Sequence, residues 1–164
     1  MDAGSVFSVE LSFEKDLKQP SHTNESVEGG GVLFENMRAL LCEDNGVNQV
    51  IARRILEKYG FEVEIASDGA EAVEKFLRSD PGHYDVIYMD IQMPKMNGYE
   101  AAAAIRASGR PQAETIPIIA MTANVYAEDV EKSRVSGMNG HVGKPIVIRD
   151  LLYATSRALK IAEQ

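Results

Sequence analysis

From Met37 onward the chain alternates short apolar runs with helical stretches, and this alternation restricts the fold more than any other feature. The runs are Ala39-Leu40-Leu41-Cys42, Phe61-Glu62-Val63-Glu64-Ile65, Val86-Ile87-Tyr88-Met89, Ile118-Ile119-Ala120-Met121 and the residues around Val142. Three of them are apolar throughout, as strands covered on both faces are. The second alternates, which predicts an edge strand with one wet face. Strands separated by helices pair in parallel through right-handed crossovers. The expectation is an α/β domain with a doubly wound, five-stranded parallel sheet.

Helices are predicted over roughly 47–59, from 68 on, and over 99–107, 127–136 and 148–160. In the first, Val47, Ile51, Ile55 and Tyr59 recur at i, i+4 spacing and are expected to face the core. Gly60 ends it. Asp68-Gly69-Ala70-Glu71 has the spacing of a capping box. The third helix is alanine-rich, a strong helix former with a narrow packing face. In the last, Ile148, Leu151, Leu152, Thr155 and Leu159 are expected to point inward.

In an open parallel sheet the carboxyl ends of the strands meet at one edge, where ligands bind. At those ends stand Glu43-Asp44, Asp90, Thr122 and Lys144. Three carboxylates brought together repel, and a hard cation such as Mg²⁺ removes the repulsion. Asp90 is the candidate nucleophile, since a carboxylate can accept a phosphoryl group as an acyl phosphate. Asp44 is the candidate direct Mg²⁺ ligand, with Glu43 acting through a metal-bound water. Mg²⁺ keeps several waters, so few protein ligands suffice. Lys144 and Thr122 offer an ammonium and a hydroxyl to phosphoryl oxygens.

The net charge of −8 argues against nucleic acid as a partner and against docking on anionic lipid. No run approaches the length of a membrane span. The N-terminus lacks a signal pattern, and the single cysteine, Cys42, forms no internal disulfide, so a cytoplasmic location is expected. Residues 1–36 carry a net −5 of that −8, which sets a boundary near 36. Within this extension, 5–13 reads as one strand. Residues 16–36, broken by Pro20 and Gly29-Gly30-Gly31, read as a flexible linker.

Four motifs together carry a family resemblance. Leu41-Cys42-Glu43-Asp44-Asn45, Met89-Asp90-Ile91-Gln92-Met93-Pro94-Lys95-Met96-Asn97-Gly98, Met121-Thr122-Ala123-Asn124 and Gly143-Lys144-Pro145 resemble the signatures of a two-component receiver domain. The resemblance spans about 37–162 and implies a flavodoxin-like sheet in the order 2-1-3-4-5. It implies that Asp90 accepts phosphate from a phosphohistidine, with Mg²⁺ held by Asp44, Asp90 and the Gln92 backbone carbonyl. It implies a cis Lys144-Pro145 bond. Asp44-Asn45-x-x-Asn48-Gln49 and Gly137-Met138-Asn139-Gly140-His141-Val142-x-Lys144-Pro145-Ile146 are similar to receivers fused to hybrid sensor histidine kinases. Residues 4–11 resemble the last strand of a kinase ATP-binding domain. The implied parent is a hybrid kinase, itself open to membrane anchoring. The implied partners are a kinase phosphohistidine domain, in cis or in trans, and a histidine phosphotransfer protein. A homodimer through the fourth helix, fifth strand and fifth helix is a further expectation.

Some positions have two readings. Thr122 is either a helix cap or the hydroxyl that moves to the phosphoryl group. His141 is either a half-buried edge-strand histidine or a switch residue in the place where receivers often carry Tyr or Phe. Gln92 and Asn124 are expected to tune acyl-phosphate lifetime, because such positions line the path of the hydrolytic water in receivers. Two rival functions are a stand-alone regulator acting by protein contact and an aspartate-nucleophile phosphatase. The latter type places a second Asp two residues after the nucleophile, where this chain has Gln92.

Overall fold

The computed structural model describes residues 34–162. The strand expected at 5–13, and most of the linker expected at 16–36, lie outside the described residues. The elements are β1 (Arg38–Cys42), α1 (Gly46–Lys58), β2 (Glu62–Ala66), α2 (Gly69–Arg78), β3 (Val86–Asp90), α3 (Gly98–Ala107), β4 (Ile118–Thr122), α4 (Ala127–Val135), β5 (Gly140–Gly143) and α5 (Ile148–Ala162). The strands form one parallel sheet in the order β2-β1-β3-β4-β5. β2 is an edge strand, as its alternation predicts.

Successive residues of a strand face opposite sides, so each central strand feeds two cores. Leu40, Cys42, Ile87, Met89, Ile118 and Ala120 pack on one side with Phe76 of α2 and Ile105 of α3. Ala39, Leu41, Val86, Tyr88, Ile119 and Met121 pack on the other with Leu56 of α1 and Leu151 of α5. Each large aliphatic side chain fully buried there contributes about 1.5–3 kcal/mol. Phe34 belongs to this second core: its ring stacks on Phe61 at 4.8 Å, and its N–H donates to the Tyr59 carbonyl.

Half of the stripe expected along α1 faces the core: Ile55 and Tyr59 pack in the second core, and the other two positions are corrected. Val47 is 69% exposed and Ile51 49%, and the buried positions are Ala52 and Leu56. The helix lies on the sheet through Leu56 and Ala52, the latter a small residue that apolar spacing alone overlooks. On α5, Leu151 and Thr155 are buried as expected, whereas Ile148 at the first turn is exposed. At α2, Asp68 accepts from the Glu71 N–H, but the Glu71 carboxylate reaches back to the Ser67 N–H. A closed capping box occurs instead at α3, between Asn97 and Glu100.

Strand register sets the functional edge. Cys42 is level with Met89, so the residues that follow, Glu43 and Asp90, stand side by side. Asp90 pairs with Met121, and Thr122 with Gly143. Among the described residues, no helix is long and apolar enough to cross a membrane.

Candidate functional site

The four strand ends converge as the sequence predicts. Oxygens of Glu43, Asp44 and Asp90 lie within 4.8 Å of one another. They line a cleft of about 240 Å³ together with Asn48, Gln92, Thr122 and Lys144. Lys144 Nζ is 2.7 Å from Glu43 Oε2 and 3.0 Å from Asp90 Oδ2, bridging two buried carboxylates. The Lys144-Pro145 peptide is cis, and the Lys144 N–H donates to the Thr122 carbonyl.

Burial is the main influence on Asp90. It pushes the carboxyl up to about 6, the Lys144 hydrogen bond opposes it, and the Glu43 charge adds to it. Burial works against the Lys144 ammonium as well, but hydrogen bonds to Glu43 and Asp90 outweigh it and hold the pKa above its ordinary value. The site therefore contains a carboxylate whose ionisation is costly and a lysine that stays charged.

Glu43 is fixed by its neighbours. Its Oε1 accepts from the Asn45 N–H at 3.1 Å and from Asn48 Nδ2 at 3.5 Å, while Gln49 donates to its backbone carbonyl at 2.7 Å. Asp44 is exposed at the cleft. The role of Asn48 and Gln49 in orienting Glu43 is not evident from spacing alone, because it depends on how α1 turns away from β1.

The Thr122 hydroxyl donates to the Asn124 carbonyl at 2.8 Å and accepts from the Asn124 N–H at 3.1 Å. It lines the cleft but is bonded within its own turn, and Asn124 itself is exposed. The Gln92 side chain is exposed, and its N–H donates to Asp90 Oδ1 at 3.2 Å. His141 is exposed on β5, not half-buried, and does not line the cleft of Glu43, Asp44 and Asp90. It lines a separate cleft of about 450 Å³ with Val125, Tyr153 and Arg157. Cys42 is fully buried, which pushes its thiol far above the ordinary range and leaves it unreactive.

The arrangement sets an ammonium and a hydroxyl beside a buried carboxylate, which can neutralise and hold an anionic group there. Comparison with known proteins gives the family. The family model described as the response regulator receiver domain matches residues 39–156, and the chain belongs to that family. A probable histidine kinase 2 from Oryza sativa subsp. indica is 40% identical over 138 residues, covering 77% of this chain and 13% of that protein. A hybrid signal transduction histidine kinase I of Dictyostelium discoideum is 40% identical over 132 residues, covering 79% of this chain and 8% of that protein. The chain thus spans only a small part of these relatives' length. The receiver domain of a Pseudomonas aeruginosa sensor histidine kinase, solved with magnesium coordinated in its active site cleft, superposes with a TM-score of 0.67. It is 35% identical, covering 76% of this chain and 98% of that one.

Proposed function

We propose that the domain is the phosphoacceptor of a phosphorelay, with Asp90 as the residue modified. The carrying observation is the bridge from Lys144 to both Glu43 and Asp90 within the acidic cleft. A phosphohistidine N–P bond breaks, a bond forms from phosphorus to the Asp90 oxygen, and the leaving imidazole takes up a proton. Lys144 compensates charge on the incoming group. Thr122 exchanges its Asn124 partner for a phosphoryl oxygen, which biases the β4–α4 turn between two arrangements.

Divalent Mg²⁺ fits the donor set. Hard carboxylate oxygens converge, one of them on an exposed residue that can approach a hydrated ion. Asp44, Asp90 and the Gln92 carbonyl would hold it, with Glu43 behind a water. The ion would neutralise charge on the transferring group.

The partner carrying the histidine must cover the mouth of the cleft. There α1 exposes Val47, Val50 and Ile51, an apolar patch beginning three residues after Asp44. Such a patch suits a helical histidine-bearing surface of a kinase or phosphotransfer protein. The segment before Phe34, which is itself packed in the core, would then be the tether to a hybrid kinase, with 5–13 the last strand of its ATP-binding domain, the whole lying in the cytoplasm. A second copy would bind on the α4, β5 and α5 side, a reading supported by the exposed rings of Tyr126 and Tyr153. Gln92 and Asn124 would tune the lifetime of the acyl phosphate.

The test is incubation with acetyl phosphate and Mg²⁺, read by mass spectrometry. One phosphate added at Asp90, and none in Asp90→Asn, is the expected result. Modification elsewhere, or none in the parent protein, overturns the reading.

A further inference from the structure

We propose that Lys95 is a positioning residue whose ion pair with Asp68 braces the β3–α3 loop and so holds Gln92 at the acidic cleft. The inference rests on the phosphoacceptor reading above and concerns how that site is kept in shape.

The loop from Ile91 to Asn97 is folded tightly. Met96 N–H donates to the Pro94 carbonyl at 2.7 Å, and Gly98 N–H to the Ile91 carbonyl at 2.9 Å. A Cβ on Gly98 would stand 2.3 Å from the Asp90 carbonyl oxygen. On its other side the loop meets α2, where a Cβ on Gly69 would stand 2.3 Å from the Met96 carbonyl oxygen. The loop is therefore pressed between the nucleophile's own backbone and the first turn of α2.

At this bend Lys95 adopts φ 65°, a region few residues with side chains occupy. Its ammonium is 3.0 Å from Asp68 Oδ2. Asp68 is only 7% exposed, and its other oxygen caps α2 through the Glu71 N–H at 2.8 Å. One carboxylate thus caps the start of a helix and tethers the loop. An exposed ion pair contributes little, and Lys95 is itself largely exposed, but the Asp68 carboxylate is held in place by its helix cap, so the lysine at the bend meets a fixed partner. Gln92 lies three residues before Lys95, and its N–H is bonded to Asp90 Oδ1. Slack at the bend moves that peptide.

Three variants separate tether from fold. Lys95→Gly removes the tether and accepts the positive φ. Lys95→Arg keeps the charge. Asp68→Asn keeps an N-cap acceptor and loses the charge. The measurements are Mg²⁺ affinity by calorimetry, melting temperature in chelator, and the Gln92 amide NMR signal in ion-free protein. Lys95→Gly and Asp68→Asn are expected to weaken Mg²⁺ binding about three- to fivefold and shift the Gln92 signal, with cooperative unfolding retained. Lys95→Arg is expected to behave as the parent. Parent-like Mg²⁺ affinity in Lys95→Gly overturns the brace and leaves the phosphoacceptor reading intact. A parent protein that binds no Mg²⁺ overturns the metal assignment instead, and the ion-free Gln92 signal then decides the brace: a shift upholds it and an unmoved signal removes it.

Discussion

Lys144 Nζ and Asp90 Oδ2 lie 3.0 Å apart, so the candidate nucleophile is already paired with a cation before any phosphate arrives. The same ammonium holds Glu43 at 2.7 Å. Two carboxylates that would otherwise repel are kept together by one lysine from the far end of the sequence.

Replacing Lys144 with Ala leaves Glu43 and Asp90 without their shared counter-charge. Removing one partner of a buried pair is costly, and after allowance for the partial exposure of Lys144 the expected loss is about 1–3 kcal/mol at neutral pH. Urea unfolding measures it. Transfer from acetyl phosphate should fall at least tenfold. Unchanged stability together with unchanged transfer would show that the bridge is inert.

The raised Asp90 pKa sets a pH dependence in ion-free protein. The folded state holds this proton more tightly than the unfolded chain, whose carboxyl titrates near 3.8, while the folded one titrates at about 6. The associated stability is present at low pH and is lost as pH rises from near 4 through about 6. Asp90→Asn, which cannot ionise, should therefore be more stable than the parent at neutral pH, with the advantage shrinking toward pH 4. Equal differences at both pH values would contradict the assignment.

Divalent ion should stabilise the parent in a concentration-dependent way. At a hundred times the dissociation constant the gain is about 2.7 kcal/mol. Asp44 is exposed, so Asp44→Asn should unfold like the parent in chelator yet lose the Mg²⁺-dependent rise in melting temperature. A full rise in that variant would remove Asp44 from the ligand set.

The convergence of the cleft was legible because it follows from topology. Buried parallel strands are apolar to their last residue, so the first polar residue after each marks the functional edge. Glu43, Asp90, Thr122 and Lys144 stand out for that reason. Side-chain burial on helices was less legible. Ile55 and Tyr59 face the core as their spacing suggests, but Val47 and Ile51 keep the same spacing and face away from the sheet, where Ala52 and Leu56 make the contact. Spacing reports an apolar face without saying what covers it. Asn97 and Glu100 have capping-box spacing in plain view, yet Pro94 and Gly98 on either side of Asn97 are turn residues that mask the helix start. Long-range pairs such as Lys95 with Asp68 leave no periodic signal.

Gly98 gives a backbone test of the same site. An added Cβ would meet the Asp90 carbonyl oxygen at 2.3 Å, which cannot be relieved by rotating a side chain. Gly98→Ala should destabilise by about 1–3 kcal/mol, as overpacking does. It should also reduce phosphate uptake, because the strand end carrying Asp90 has to shift. A stable variant with full uptake would mean that the contact relaxes without moving the nucleophile.

Thr155 was expected to face inward despite its hydroxyl, and Tyr88 supplies the reason. Their oxygens are 2.7 Å apart in the second core, and Thr155 Oγ1 also lies 2.7 Å from the Leu151 carbonyl, to which it donates. Tyr88 O–H is therefore the donor to Thr155, so deleting each partner has a different consequence. Tyr88→Phe leaves Thr155 bonded to Leu151 and should cost about 0.5–1.5 kcal/mol. Thr155→Val leaves the buried Tyr88 hydroxyl without an acceptor and should cost more, about 1–3 kcal/mol. Denaturant midpoints for both variants and for the double variant test this order. A double variant more stable than Thr155→Val alone is expected, since it removes the stranded hydroxyl. If Thr155→Val proves the milder change, the direction of the hydrogen bond is wrong.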